Sequence, residues 1–205
     1  MIQKIAPRAR AIFPALLFAA LFSGLAISVT TGGSGGIDLP MRDAIHVLAA
    51  PALTQAMLWL TRLGSVAVLS GLFPLAFCAL WLAGARHGAR TLALAMVGAV
   101  ALENGLKYLF HRDRPEPFFG LAMPETYSFP SGHAMFSASF YGALALIVAS
   151  QLTGAARVGV FAFAVLVIAL VGFSRVYLGV HYPSDVLAGY LAAAFWLSVL
   201  RWRFV

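Results

Sequence analysis

The sequence predicts an all-α membrane protein, a polytopic bundle of six transmembrane helices with a short interfacial helical segment after the first. Of its 205 residues, 61% are hydrophobic and only 10% are charged, whereas a soluble domain carries roughly 25% charged residues. Crossing a bilayer takes roughly 20 apolar residues. Long stretches lack Asp, Glu, Lys and Arg altogether, at 11–37, 63–85, 134–156, 158–174 and 186–200.

The first span is expected at about 11–29, directly after a basic amino-terminal stretch. That arrangement resembles a signal peptide, but no convincing small-x-small cleavage site follows it, so we interpret it as a retained helix. The other spans are expected at about 64–84, 90–109, 133–151, 157–174 and 185–202. We treat the chain as one domain, 1–205, without a soluble module.

The segment 39–62 has two possible interpretations. It is apolar but interrupted by charged residues, histidine and proline, which fits a membrane-surface helix or hairpin or, alternatively, an extra span. Charge placement favours the surface helix. A seventh span would move Arg86 and Arg90 to the outer side and weaken the positive-inside pattern.

With six spans, both termini lie in the cytoplasm. The cytoplasmic side then holds eight basic residues: Lys4, Arg8, Arg10, Arg86, Arg90, Arg157, Arg201 and Arg203. Every Asp and Glu falls on the opposite side, as the positive-inside rule favours. The net charge of +7 therefore comes from basic residues placed to meet lipid headgroups, and it does not indicate nucleic-acid binding. Cys78 stands alone in an apolar run, which excludes a disulfide framework or zinc site and predicts a packing role.

Polar residues are expensive at membrane depth and usually mark function. They gather in three places: at 107–115, at the turn 130–133 and at 174–185. Two crossings separate the loops 110–132 and 175–184, so these loops must lie on the same face of the membrane. All three clusters can therefore meet in one site.

The first part of that site would bind an anion. Lys107, Arg114 and Arg175 supply three fixed cations, and arginine holds two phosphate oxygens at once. A helix starting in the turn, with Ser131 as N-cap and Gly132 next, would add backbone N–H groups and the positive end of its dipole. Such a cluster can neutralise a developing phosphoryl charge without a metal, so we expect no cofactor.

The second part would carry the chemistry. His133 and His181 can move protons or attack phosphorus near neutral pH. Asp185 follows His181 by four residues, so its carboxylate could bind one ring nitrogen and leave the other lone pair free.

In these residues the chain resembles the type 2 phosphatidic acid phosphatase (PAP2) superfamily, and in particular its bacterial integral-membrane lipid phosphatases. The pattern K-x6-R-P, P-S-G-H and S-R-x5-H-x3-D appears as Lys107…Arg114-Pro115, Pro130-Ser131-Gly132-His133 and Ser174-Arg175…His181…Asp185. These motifs cover the region 107–185.

The resemblance implies the following roles. His181 would be the nucleophile that forms a phosphohistidine, Asp185 would orient it, and His133 would protonate the leaving oxygen and help to activate water. Lys107, Arg114, Ser131, Gly132 and Arg175 would hold the phosphate, with no metal.

The expected substrate is a lipid phosphate or diphosphate such as undecaprenyl diphosphate, phosphatidylglycerophosphate or phosphatidic acid. Lipid A 1-phosphate is an alternative. The site would face the extracytoplasmic side of the bacterial cytoplasmic membrane. Beyond membrane lipids we infer no obligate protein partner.

Three other functions share some of these features. A transporter of anionic lipids would use the cations but give His181 and Asp185 no joint task. Vanadium-dependent haloperoxidases share the motifs but are typically soluble. A phosphotransferase would pass the phosphoryl group to a lipid or sugar acceptor instead of water.

Several polar residues near the motifs have plain structural interpretations. Glu103 lies four residues before Lys107, which predicts an ion pair on one helix face. Arg112 is expected to be a solvated loop charge, with contact to headgroups or a second phosphate as the alternative. Tyr177 and Tyr182 could line the site mouth or serve packing. The remaining histidines match no motif and are expected at the surface: His46, His87 and His111.

Overall fold

A computed structural model describes the backbone of residues 5–203 and the side chains of residues 12–201. Within this part the chain is all-α, as predicted. The helices are α1 (Ile5–Thr30), α2 (Gly35–His46), α3 (Pro51–Leu60), α4 (Val66–Leu82), α5 (Arg86–Phe110), α6 (Gly132–Ala149), α7 (Gly154–Tyr177) and α8 (Pro183–Arg203). A 3-10 turn, Thr61–Gly64, joins α3 to α4.

Five of the described helices are long and apolar enough to cross a membrane: α1, α5, α6, α7 and α8. The sixth candidate is a pair, since α3 with its 3-10 turn and α4 satisfy the same criterion together but meet at a bend of 48°. The six-span bundle agrees with this architecture when the pair is counted as one span.

The segment 39–62 contains no helix that could cross a membrane alone. The helix α2 has 12 residues and α3 has 10, and both are too short for the roughly 30 Å of hydrocarbon. The helix α2 follows the first span directly, where the short interfacial segment was predicted, while the second half of 39–62 belongs to α3 and its 3-10 turn. The helix α3 packs against α7 and leads directly into α4.

The helix α6 forms the centre of the bundle. It packs against α5, α7 and α8, and most of its side chains are buried. Alanines supply much of this buried surface, including Ala134, Ala138 and Ala143, and small residues let helices approach closely in lipid. By contrast, α1 lies at the periphery against α8, with large apolar side chains such as Phe13 and Leu16 exposed.

The ends of four helices meet at one end of the bundle, where α2 also packs. There α5 ends, α6 begins, α7 ends and α8 begins, and α2 packs against α7 and α8. The long loop 111–131 lies directly on the turn between α7 and α8, because the Phe118 N–H donates to the Leu178 carbonyl at 3.2 Å. Gly179 makes this approach possible: its φ is 73°, and an added Cβ would meet the Phe118 ring at 2.6 Å. The two outer loops therefore lie on the same side, as the crossing count requires.

The structure contradicts the prediction for Cys78 and does not describe some of the basic residues near the two termini. Cys78 is exposed on α4, so its predicted packing role was wrong; the side chain faces outward from the bundle. Among the cations predicted to lie on the cytoplasmic side, Lys4 lies outside the described residues, as do the side chains of Arg8, Arg10 and Arg203.

Candidate active site

His181 and Asp185 form a buried pair. His181 lies in the turn between α7 and α8 and is 2% exposed, and Asp185 in the first turn of α8 is fully buried. The His181 Nδ1 atom lies 3.4 Å from Asp185 Oδ2. The same carboxylate oxygen accepts hydrogen bonds from Ser128 Oγ and from the Tyr182 N–H at 2.8 Å. These donors hold the carboxylate in place beneath the imidazole.

The other ring nitrogen of His181 faces Arg114. Arg114 Nη1 lies 3.0 Å from His181 Nε2 and donates to the Val180 carbonyl at 3.0 Å. The rest of the guanidinium is anchored on the long loop, with Nε donating to the Thr126 carbonyl at 2.7 Å and Nη2 to the Tyr127 carbonyl at 3.2 Å. Burial lowers the pKa of Arg114, against the opposing effect of Asp185, but arginine stays charged across the range in which proteins work.

The His181 imidazole is neutral at physiological pH. Burial lowers its pKa from 6.5 to about 4, Asp185 opposes this shift, and the cations of Arg114 and Arg175 add to it. A tautomer with the proton on Nδ1 satisfies the contact with Asp185 and leaves the Nε2 lone pair beside Arg114. This is the orientation that a nucleophilic histidine requires.

The start of α6 lies against this pair. Ser131 occupies the N-cap position, its N–H donates to the Asp185 carbonyl at 2.9 Å, and its side chain makes no cap hydrogen bond. The buried Ser131 Oγ has no hydrogen-bond partner among the described residues, so it keeps its capacity for a ligand. Gly132 has no room for a side chain, because a Cβ would lie 2.8 Å from Glu103 Oε1.

His133, in the first turn of α6, is only partly buried. Its ring interacts electrostatically with His181 and with the three cations predicted to bind phosphate. The two histidines and the basic side chains therefore share one neighbourhood, as the sequence predicted.

Lys107 and Arg175 complete the basic lining. Lys107 Nζ pairs with Glu103 Oε1 at 2.7 Å, which confirms the predicted pair one helical turn apart, and lies 3.3 Å from Thr126 Oγ1. Arg175 is 8% exposed, and its Nη1 donates to Thr61 Oγ1 at 2.7 Å. Its buried Nε has no partner in the described part of the chain. Arg175 Nε and Ser131 Oγ are thus two buried polar atoms that keep hydrogen-bonding capacity for an anion.

Arg112 does not behave as a solvated loop charge, so that expectation was wrong. It lies between two buried carboxylates, with Nη1 at 2.6 Å from Asp185 Oδ1 and Nη2 at 2.8 Å from Asp38 Oδ2. Burial lowers its pKa, but Asp185 and Asp38 together outweigh that effect and raise the pKa above its usual value. The guanidinium also lies over the Tyr182 ring, 4.2 Å from the centroid.

Three residues at the site were not singled out from the sequence: Asp38, Ser128 and Thr126. Ser128 belongs to the polar stretch before α6, so its position beside the motif was a usable signal. An Asp at the edge of an apolar segment was a weaker signal for Asp38, because nothing local shows that α2 reaches the start of α8.

The remaining polar residues divide between packing and surface. Tyr177 is fully buried, and its hydroxyl lies 2.9 Å from Thr54 Oγ1, which is a packing role. His46 is partly buried and stacks on Phe118 with ring centroids 3.7 Å apart, so its surface assignment was wrong. His87 and His111 are exposed as expected.

Residues 88–205 match the family model of the PAP2 superfamily. This chain belongs to the PAP2 superfamily. The match spans more than half of the chain and contains every residue predicted to form the site. The fold, the motifs and the family thus agree on a multi-pass membrane phosphatase.

Known PAP2 proteins resemble this chain in sequence and in structure. Phosphatidylglycerophosphatase B of Bacillus subtilis is 30% identical over 168 residues, covering 81% of this chain and 82% of that protein. The crystal structure of the PAP2-type phosphatidylglycerolphosphate phosphatase of Bacillus subtilis superposes with a TM-score of 0.84 at 27% identity, covering 92% of this chain and 94% of that chain. Undecaprenyl-diphosphatase of Sulfolobus acidocaldarius is 35% identical over 115 residues, covering 54% of this chain and 52% of that protein.

Proposed function

We propose that this PAP2 protein removes a phosphoryl group from a lipid phosphate or diphosphate, through a covalent phosphohistidine on His181. The observation that carries the proposal is the setting of that imidazole. It is buried, with a carboxylate at Nδ1 and an arginine at Nε2. A transporter would have no use for such a pair.

In the first step the substrate phosphate would take the place of the contact between Arg114 Nη1 and His181 Nε2. Arg114 Nη1, which now faces His181 Nε2 at 3.0 Å, would donate to a phosphate oxygen instead. A phosphate next to Nε2 lies within hydrogen-bond distance of this guanidinium. The remaining oxygens would be held by Lys107, Arg175, the Ser131 hydroxyl and the N–H groups at the start of α6. The Nε2 lone pair attacks phosphorus, the bond from phosphorus to the lipid oxygen breaks, and His133 gives that oxygen its proton.

The second step returns the enzyme to its starting state. His133, now neutral, takes a proton from water, and the resulting hydroxide attacks the phosphorus of the phosphohistidine. The phosphorus–nitrogen bond breaks, inorganic phosphate leaves, and His181 regains its lone pair. Asp185 stabilises the imidazolium character of His181 in both steps through the Nδ1 proton.

The substrate class follows from the setting and the relatives. The site lies at one end of a bundle whose outer surface is apolar, which suits a substrate whose tail stays in the bilayer. Phosphatidylglycerophosphate and undecaprenyl diphosphate are the first candidates, because the similar proteins are named for them. Phosphatidic acid, lipid A 1-phosphate and transfer to a lipid or sugar acceptor follow as variants of the same chemistry. The charge pattern supports a site on the extracytoplasmic side of the bacterial cytoplasmic membrane.

The test is phosphate release by purified protein in detergent, with these lipids assayed side by side. We expect His181→Ala to abolish release, and His111→Ala, which removes an exposed histidine of the neighbouring loop, to leave it unchanged. With labelled substrate, wild-type protein denatured during turnover should carry an acid-labile, base-stable phosphoryl group, and the same treatment of His181→Ala should yield none. Turnover by folded His181→Ala protein would refute the mechanism.

A further inference from the structure

We propose that Asp38 on α2 and Arg112 in the loop after α5 are positioning residues for the phosphatase reaction, because together they hold Asp185 so that one of its oxygens is kept for His181. This inference rests on the proposed function, in which His181 is the nucleophile. Neither residue belongs to the motifs that carry the family resemblance.

The two oxygens of Asp185 have different partners. Arg112 Nη1 donates to Oδ1 at 2.6 Å. Oδ2 receives Ser128 Oγ, the Tyr182 N–H and the contact with His181 Nδ1. The arginine therefore sets the rotation of the carboxylate about its side-chain bond, and that rotation decides where Oδ2 lies relative to the imidazole.

Arg112 is in turn held by Asp38. The Asp38 carboxylate is 2% exposed, and its Oδ2 accepts from Arg112 Nη2 at 2.8 Å and from Ser184 Oγ at 2.6 Å. Its Oδ1 accepts the Ser184 N–H at 2.9 Å, so it also caps the first turn of α8, the turn that carries Asp185. Asp38 thus holds both Arg112 and the backbone at Ser184, and these two groups in turn orient the Asp185 carboxylate.

The geometry requires the planar fork of arginine. One guanidinium spans carboxylates that lie 73 and 74 residues away in the chain, using a separate nitrogen for each. The Tyr182 ring covers its face. A lysine ammonium keeps the charge but cannot donate in two directions from a fixed plane.

A packing role alone does not explain such a cluster. Buried ion pairs contribute little net stability compared with apolar residues of similar size, and α2 could dock on α8 through apolar contacts. What the ion pairs do provide is a set orientation and a set charge next to His181. The charged and titratable groups that face His181 are Asp185 on α8, Arg114 on the loop, Arg175 on α7 and His133 on α6, and Arg112 acts on it through Asp185.

The experiment compares Asp38→Asn with Asp43→Asn, in full-length protein in detergent with a lipid phosphate substrate. Asp43 lies on the same helix but is 70% exposed and only loosely paired with Arg42 at 3.8 Å, so its substitution removes the same charge without touching the network. We expect Asp38→Asn to lower kcat by about tenfold to a hundredfold with little change in KM, because a catalytic group displaced by a fraction of an ångström loses about that much. Asp43→Asn should match the wild type.

The pH profile separates positioning from stability. Removing the negative charge of Asp38 leaves Arg112 less compensated, which disfavours the protonated His181 imidazole. The acid limb of kcat/KM should therefore move to lower pH in Asp38→Asn, and return toward the wild-type position in Asp38→Glu. A structural role alone would lower the melting temperature and leave the limb in place, and that result would overturn the proposal.

Arg112→Lys keeps the test decisive if Asp38→Asn does not fold. We expect Arg112→Lys to lower kcat with KM preserved; wild-type kcat in this variant would overturn the proposal. Where both variants fold, their double substitution should be little worse than the worse single one, since both act through one carboxylate, and additive losses would contradict a shared role. The wild-type assay separates this inference from the proposed function. Wild-type protein that releases no phosphate would refute the proposed function. Active Asp38→Asn protein with an unchanged pH profile would refute only the positioning role of Asp38 and Arg112.

Discussion

Gly189 offers a direct test of whether the contact between α6 and α8 sets the catalytic geometry. It lies one turn after Asp185 on α8, against the start of α6. A Cβ at this position would meet the Ser131 carbonyl oxygen at 2.7 Å, the Ala134 Cβ at 3.0 Å and the Met135 backbone nitrogen at 3.1 Å. These contacts are mostly backbone, so no flexible side chain can move away.

The size of the effect follows from these distances. Ordinary van der Waals contact begins at 3.4 Å, so Gly189→Ala must separate the two helices locally by about 0.7 Å or distort them. The bond from the Ser131 N–H to the Asp185 carbonyl, now 2.9 Å, lies directly across this contact. Overpacking of this kind costs about 1–3 kcal/mol of stability, and a shift of this size in a catalytic group costs roughly ten- to a hundredfold in rate.

The assay is kcat and KM for phosphate release, together with the melting temperature in the same detergent. Gly105→Ala is the matched control, because it places the same methyl group on α5 with nothing within 4 Å. We expect the control to keep wild-type kcat. Folded Gly189→Ala protein with wild-type kcat and melting temperature would refute the claim that backbone contact between α6 and α8 sets the site.

Three further predictions concern acidity, charge geometry and orientation. The acid limb of kcat/KM should lie near pH 4 and not near 6.5, because burial lowers the pKa of His181 to about 4 and the nucleophile is neutral above that value. A limb near 6.5 in the wild-type protein would contradict the burial argument. Arg114→Lys keeps the charge but loses the hydrogen bonds to the Thr126 carbonyl in the loop and to the Val180 carbonyl before α8. The kcat for phosphate release should therefore fall by about a hundredfold. Activity within threefold of wild type would show that charge alone suffices. In a Cys78→Ser background, Glu125→Cys should react with a membrane-impermeant maleimide on intact spheroplasts and Arg157→Cys only after permeabilisation, and the opposite labelling would reverse the orientation.

Most of the site could be predicted because its residues lie within short motifs at the ends of apolar helices. The short spacing keeps His181, in the turn before α8, close to Asp185, in the first turn of that helix. The pair of Glu103 and Lys107 was predictable for the same local reason. Counting crossings was enough to bring both outer loops to one side.

The role of Arg112 could not be predicted in this way. Its partners Asp38 and Asp185 lie 74 and 73 residues away, and no local pattern shows that α2 docks on the start of α8. The same limit applies to Cys78 and His46, whose burial depends on which face of a short or uniformly apolar helix turns inward. In α4 every face is apolar, so hydropathy carries no information about direction.

The sequence by itself determined the membrane class, the family and the set of polar residues that gather at one end of the bundle, because apolar length, charge and motif spacing are local quantities. Only the tertiary structure decided which carboxylate oxygen of Asp185 faces His181, and that Asp38 of α2 pairs with the arginine that contacts this carboxylate. Such choices depend on helices distant in the chain packing together, and side-chain geometry at a buried contact is set by all of its neighbours at once.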